Sequence, residues 1–367
     1  MTLTEATFRP TEARRKKPGT AQAGHASDYT DLAKQIKAMG LLERRPIWYA
    51  IRCTLLIAAY ALGFVLLFAV GPSWWQIAVG VYFSIVFTQS AFLAHDSAHR
   101  QMFESGKRNE WFSRVVGNLF VGLSYGWWMN KHSRHHANPN TVGKDGDITP
   151  GAIAFVKEDA AVRTGAARWL TAKQGYYFFP ILMLSGIDLH VSAVKSVLRG
   201  DGIKHRWVEG SLLAVRLIGF PVLVFIALGP VFGTAFMLAQ LFTFGLYMGG
   251  SFAPNHKGMP IIAEDQKVDY LRRQVLTSRN ISGRYGIATA MGGLNYQIEH
   301  HLFPNMPSIN LRKARPVVIA YCEKLGVPYT ETTLVRSYAI VVRYLHRVGI
   351  GSADPFECPA AASYRTA

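Results

Sequence analysis

The chain has 367 residues, 40 Lys and Arg against 23 Asp and Glu for a net charge of +17, 50% hydrophobic residues and only 17% charged ones. Average proteins carry roughly 25% charged residues, so this composition excludes a disordered chain and an ordinary water-exposed enzyme surface. Three isolated cysteines, Cys53, Cys322 and Cys358, exclude a disulfide scaffold, lack metal-ligand spacing and suit a reducing compartment.

Residues 1–46 hold cations from Arg9 to Arg45. Asp28, Asp31, Lys34 and Lys37 stand where a signal peptide would need an apolar run, so a basic, partly disordered tail is expected. From Cys53 to Ala94 no charged residue and no His occurs. A bilayer core takes about 20 apolar residues per helix, so this run predicts two spans, about residues 50–70 and 74–94, joined at Gly71-Pro72-Ser73. The shorter apolar stretches 115–130 and 174–194 are expected to lie in the membrane interface. A second charge-free run, Leu217 to Asn255, predicts spans at about 211–228 and 231–252 around Gly229-Pro230. After Pro304 the chain has soluble helical character up to about residue 350, and 351–367 is a C-terminal tail.

The expected fold is therefore an all-α membrane protein with four transmembrane helices in two hairpins and a cytoplasmic helical cap. The competing fold, a large soluble α-protein, leaves two double-length apolar runs with no route away from water. Both hairpin tips lack cations, which places both termini and the central segment in the cytoplasm by the positive-inside rule. The basic balance fits attraction to anionic lipid head groups better than nucleic acid, for which no module is present.

Seven of the 12 histidines fall in three short windows: His95-Asp96-Ser97-Ala98-His99, His132-Ser133-Arg134-His135-His136 and Gln297-Ile298-Glu299-His300-His301. Residues three or four apart share a helix face, so His95 with His99, and His132 with His135 and His136, can converge on one ion. In the third window Gln297 stands where a first histidine would be. Imidazole suits iron, zinc and copper and is largely neutral at pH 7. A helix from Trp74 advances about 32 Å by His95, enough to clear a hydrocarbon core of roughly 30 Å, so all three windows reach one side of the membrane. His256 follows the last span alone; His25, His190, His205 and His346 lack partners at helical spacing.

These windows, with Gly293 to Pro304 and Asn138-Pro139-Asn140-Thr141, make residues 45–350 resemble the membrane fatty acid desaturase family, in particular its front-end branch, where glutamine opens the third box. The resemblance implies two iron ions held by His95, His99, His132, His135, His136, His256, His300 and His301, with Gln297 as a weaker or water-mediated ligand. Asp96, Asn138, Asp147, Asn255, Asn295 and Glu299 are candidates to hold the ligands through their free ring N–H, or else cap helices and turn loops. The carboxylate ligands of soluble di-iron bundles are absent from this set.

The implied reaction is oxidation of an unactivated methylene by O2 and two electrons, leaving a cis double bond in an acyl-CoA or acyl-lipid. An apolar tunnel would set the position, with Phe87, Phe92, Phe120, Tyr125, Trp127, Trp128, Phe252 and Tyr296 as candidate walls. Front-end enzymes commonly carry a fused cytochrome b5 domain with a His-Pro-Gly-Gly motif. That motif does not occur here, so a separate donor is expected: a ferredoxin, a flavin reductase or cytochrome b5. A hydroxylase or ketolase on the same scaffold is the nearest alternative. A membrane metal transporter would need ionisable residues within its spans, and both long runs have none.

Overall fold

The computed structural model describes residues 21–200 and 202–351, with side chains from residue 28 onward; the expected tail segments at 1–20 and 352–367, and Cys358, lie outside the described residues. Helix α1 (Ala21–Ala38) belongs to the cap, where Leu32 and Ile36 are completely buried. The membrane hairpin follows as α2 (Pro46–Val70), opened by Pro46 in the first turn, and α3 (Gln76–Ala98). The turn between them is closed by Gln76, whose side-chain amide donates to the carbonyls of Leu67 and Gly71.

Next come α4 (Gly106–Val115), a π-helical segment at Val116–Val121 and α5 (Tyr125–Ala137). The expected interfacial stretch 115–130 is thus three pieces, broken where Gly122 turns at φ 90°, a left-handed conformation open to glycine. Two short helices, α6 (Lys157–Ala161) and α7 (Gly165–Ala172), lead into α8 (Gln174–Arg199). Helix α9 (Arg206–Ala214) runs through a second π-helical segment, Val215–Gly219, into α10 (Phe220–His256), which breaks at Gly229 (φ 70°) before Pro230. The cap is completed by α11 (Tyr270–Leu276), β1 (Asn280–Ser282), α12 (Tyr285–Ala290), α13 (Gln297–Leu302), α14 (Ser308–Leu325), β2 (Glu331–Thr333) and α15 (Leu334–Gly349). The two strands pair in parallel, Ile281 opposite Thr332.

By length and composition α2, α3, α8 and the 206–256 run can cross a bilayer. The break at Gly229 folds that last run into two arms, which with α2 and α3 make two hairpins, the all-helical membrane architecture the composition predicts. Between them lies a core dominated by aromatic rings, including Phe83, Phe87, Phe220, Phe236 and Phe244. Small residues let the helices approach where α8 crosses α10: a Cβ on Gly245 would lie 2.4 Å from the Met183 carbonyl oxygen, a distance only glycine accommodates.

Helix α8 is longer than its apolar run suggests. The charge-free segment ends before Asp188, but the helix continues to Arg199, because backbone hydrogen bonding does not stop at the first charged side chain. At one end Gln174 bonds Ala154 and the Leu345 carbonyl; at the other Ala193 and Val197 pack with Ile203 beside Trp127. Both ends therefore rest on segments from the histidine-bearing side.

Candidate metal centre

Helices α3, α5, α10 and α13 all present their histidines at one level. His95 lies in the last turn of α3, His99 at its C-cap, His132, His135 and His136 on α5, His256 at the end of α10, and His300 and His301 on α13. They form two adjacent sets, each with its ring nitrogens within 4.8 Å of one another: His95, His99, His132, His136 and His300 in one, His135, His256 and His301 in the other.

The division follows helix geometry. Consecutive residues differ by about 100° around an α-helix, so the neighbours His135 and His136, and likewise His300 and His301, point into different sets. Their rings stand nearly perpendicular, at 86° and 88°. The i, i+4 pair His132 and His136 stays together, whereas the expected convergence of His135 with them on one ion is not found. Across the boundary His136 stacks on His301 with centroids 4.3 Å apart.

Each ring of the three-histidine set is fixed through its Nδ1. Asp145 meets His135 at 3.0 Å, the Thr277 carbonyl meets His256 at 3.0 Å and the Gln274 amide oxygen meets His301 at 2.9 Å. This leaves Nε2 to face an ion, and of the His301 nitrogens Nε2 has no hydrogen-bond partner. Gln297 lies at the same place: its amide is 3.0 Å from His256 Nε2, and its oxygen accepts from Asn255.

The five-histidine set is held differently. His132 stacks on Trp128 at 4.2 Å, and His95 Nδ1 is 3.5 Å from Asp96. Both ring nitrogens of His136 and of His300, and Nε2 of His95, are buried with no protein partner. Buried polar atoms are paired in nearly all folded proteins, so this many orphaned nitrogens facing one space fit a transition-metal site. Burial depresses the pKa of His99, His132, His136, His300 and His301 well below the usual imidazole range, which keeps them neutral and able to ligate. For His135 burial acts the same way, but Asp147 and Asp145 outweigh it and raise the pKa.

Of the expected supporting residues, Asp96 reaches His95 only at 3.5 Å and is held mainly by Tyr49, Arg52 and Ser308, and Asp147 approaches His135 at 3.4 Å while pairing with Lys131. Asn255 acts through Gln297. The remaining three do not touch a ring: Asn138 caps α5 and accepts from Arg273, Asn295 bonds the Ile281 carbonyl, and Glu299 bonds Asn280 and Tyr329. Burial pushes the Glu299 carboxyl up to about 7. Asp145, Gln274 and Thr277 were not singled out from sequence. Asp145 sits two residues before Asp147 and was open to the same reasoning; nothing local marks Gln274 or Thr277.

Beside His95 an apolar cavity of about 40 Å³ is lined by Ala91, Ala94, Gly117, Val121, Met248 and Phe252, among others. Tyr125, Trp128 and Phe252 of the expected walls line it. Phe87 lies deeper, in the aromatic core, and Tyr296 belongs to the cap. His190 bonds the Gly122 carbonyl and stacks on Phe244, away from both sets.

Four helices able to cross a membrane and two adjacent histidine sets able to hold metal ions mark the class of membrane metalloproteins. The fatty acid desaturase family model matches residues 72–333, and the chain belongs to that family. Among similar proteins, a mouse fatty acid desaturase 2-like protein is 28% identical over 92% of this chain and 69% of its own length. An acyl-lipid (9-3)-desaturase of the moss Physcomitrium patens is 30% identical over 74% of this chain and 53% of its own length. A Delta(5) fatty acid desaturase of Caenorhabditis elegans is 28% identical over 82% of this chain and 69% of its own length.

Proposed function

We propose that the protein introduces a cis double bond into the hydrocarbon chain of an acyl-CoA or acyl-lipid, with two irons as the resident metals and O2 as co-substrate. One observation supports this above others: eight histidines gather in two adjacent sets, and His95 of the larger set lines an apolar cavity. His95, His99, His132, His136 and His300 would hold one iron, and His135, His256 and His301, with Gln297 nearby, the other. Iron in such a nitrogen-rich shell supplies the activation of O2 that an unactivated C–H bond requires.

The chain's own residues supply position and exclusion of water. Asp145, Gln274 and the Thr277 carbonyl orient the three-histidine rings; Trp128 holds His132 and walls the cavity. Ala91 and Ala94 leave room for a methylene chain beside His95. Two hydrogens leave adjacent carbons, and with O2, two protons and two electrons the balance closes at one double bond and two waters.

Electrons would enter from the histidine-bearing side. His99, His132 and His136 are half-buried beside exposed Arg100 and Arg134, which supports docking of an acidic ferredoxin, a flavoprotein or cytochrome b5 at this edge. The cation-free hairpin tips support a multi-pass orientation with the histidines and termini cytoplasmic. The C. elegans relative's name and the Gln297-containing third box support insertion near the carboxyl end of the acyl chain.

Expression in a host without polyunsaturated lipids, fed single fatty acids, tests this. The expected product is two mass units lighter than its precursor; a product sixteen units heavier would identify a hydroxylase and overturn the proposal.

A further inference from the structure

A second, larger hollow lies on the histidine-bearing side, with a volume of about 660 Å³. Three of the residues lining it are Arg100, Lys107 and Lys204. Arg100 directly follows His99 and sits at φ 59°, a left-handed conformation unusual for a side-chain-bearing residue. Lys107 lies in the first turn of α4, and Lys204 precedes α9. The carboxylate in the lining, Glu110, accepts from Arg114 at 2.7 Å, a guanidinium that it shares with buried Glu209. Among the described residues none of the three cations lies within ion-pair distance of a carboxylate, although Lys204, after Arg114, helps to lower the pKa of the Glu110 carboxyl. Trp111 and His205 add an aromatic wall, their rings 5.0 Å apart and tilted by 40°.

The basin connects to the proposed chemistry through one side chain. Tyr125 lines both this basin and the apolar cavity beside His95, and its ring is held 4.8 Å from the Arg114 guanidinium. An occupant of the basin is thus one tyrosine away from the hydrocarbon site. Three cations against one lining carboxylate leave the basin net positive, which matches the charge of a phosphate.

We propose that this basin binds the phosphate-bearing head group of the acyl substrate and so registers the chain against the metal centre. The inference rests on the acyl-desaturase reading. Phosphate reaches it from either of two sources, the diphosphate of a coenzyme A thioester or the head group of a phospholipid.

The test compares full-length protein with the Lys107→Ala/Lys204→Ala double variant, both changes lying at exposed positions outside the histidine sets. Equilibrium binding is measured for three probes with the same acyl chain: the acyl-CoA, the phosphatidylcholine and the free fatty acid. Wild type is expected to bind one phosphate-bearing probe at least about 10-fold more tightly than the fatty acid, an advantage that shrinks as salt is raised. The variant loses about 10-fold on that probe and little on the fatty acid, with a matching rise in KM and unchanged bound iron and kcat. The probe that responds identifies the source. Equal affinity of wild type for all three probes, or a variant that binds both phosphate-bearing probes like wild type, overturns the proposal. Wild type that binds as described but makes no double bond from any probe defeats the desaturase reading and leaves the basin standing.

Discussion

The two histidine sets achieve the same end by different means. In the five-histidine set the candidate ligands are numerous and their supports sparse: two rings have neither nitrogen bonded to protein, and three are half-buried. In the three-histidine set every ring is buried and every Nδ1 is tied to a partner. A site with many ligands tolerates the loss of orientation at one of them, whereas a site with few depends on the groups behind each ring. Metal retention is therefore expected to be redundant in one set and fragile in the other.

The largest separation should come from deleting one ligand on each side. His301→Ala leaves two histidines in its set and is expected to abolish desaturation and lower bound iron from two towards one per chain, with membrane insertion intact. His95→Ala leaves four, and should retain more iron than His301→Ala while still losing most activity. Iron analysis beside product mass spectrometry decides it; equal iron loss in both variants breaks the contrast.

Next is the support of His135. Asp145→Ala removes the carboxylate behind the ring and should cost about 10- to 100-fold in iron affinity or activity, the range found when such partners are removed. Gln274→Leu, which frees His301 Nδ1, is expected near the lower end of that range. A metal titration that matches wild type for both variants would show that orientation of the three-histidine set does not limit binding.

Smaller still is the effect of Asp96→Asn. Asp96 joins Tyr49, Arg52 and Ser308 and meets His95 only at 3.5 Å, so the change should cost about 1–3 kcal/mol of stability, read as an earlier thermal transition in detergent, with iron content preserved. Loss of iron with unchanged stability would move Asp96 into the metal support instead. The mildest change is Gln297→His, which puts imidazole beside His256 Nε2 and is expected to keep iron and at least part of the activity.

Much of this centre was legible in the chain. The histidine windows at helical spacing named seven residues and the family resemblance added His256; all eight gather in the two sets, and Gln297 and His256 meet directly. Less legible was which histidine serves which set. Spacing grouped His135 with His132 and His136, but a helix turns by about 100° between neighbours, and α13 and α10 happen to meet it on that side. Asn138, Asn295 and Glu299 were close in order to ligands but point elsewhere, because proximity along the chain leaves side-chain direction undetermined. Gln274 and the Thr277 carbonyl come from α11 and the residue that follows it, whose nearness to the centre depends on how the cap folds back.

What the linear order of residues determined was solvent preference and periodicity: two uncharged double-length runs that must leave water, and histidines at helical spacing in three windows outside them. Tertiary structure decided the rest. Only packing places α13 between α3, α5 and α10, splits the adjacent histidines into two sets, and puts a cationic basin one tyrosine from an apolar cavity, since contacts between distant segments follow from shape and close approach that no local pattern encodes.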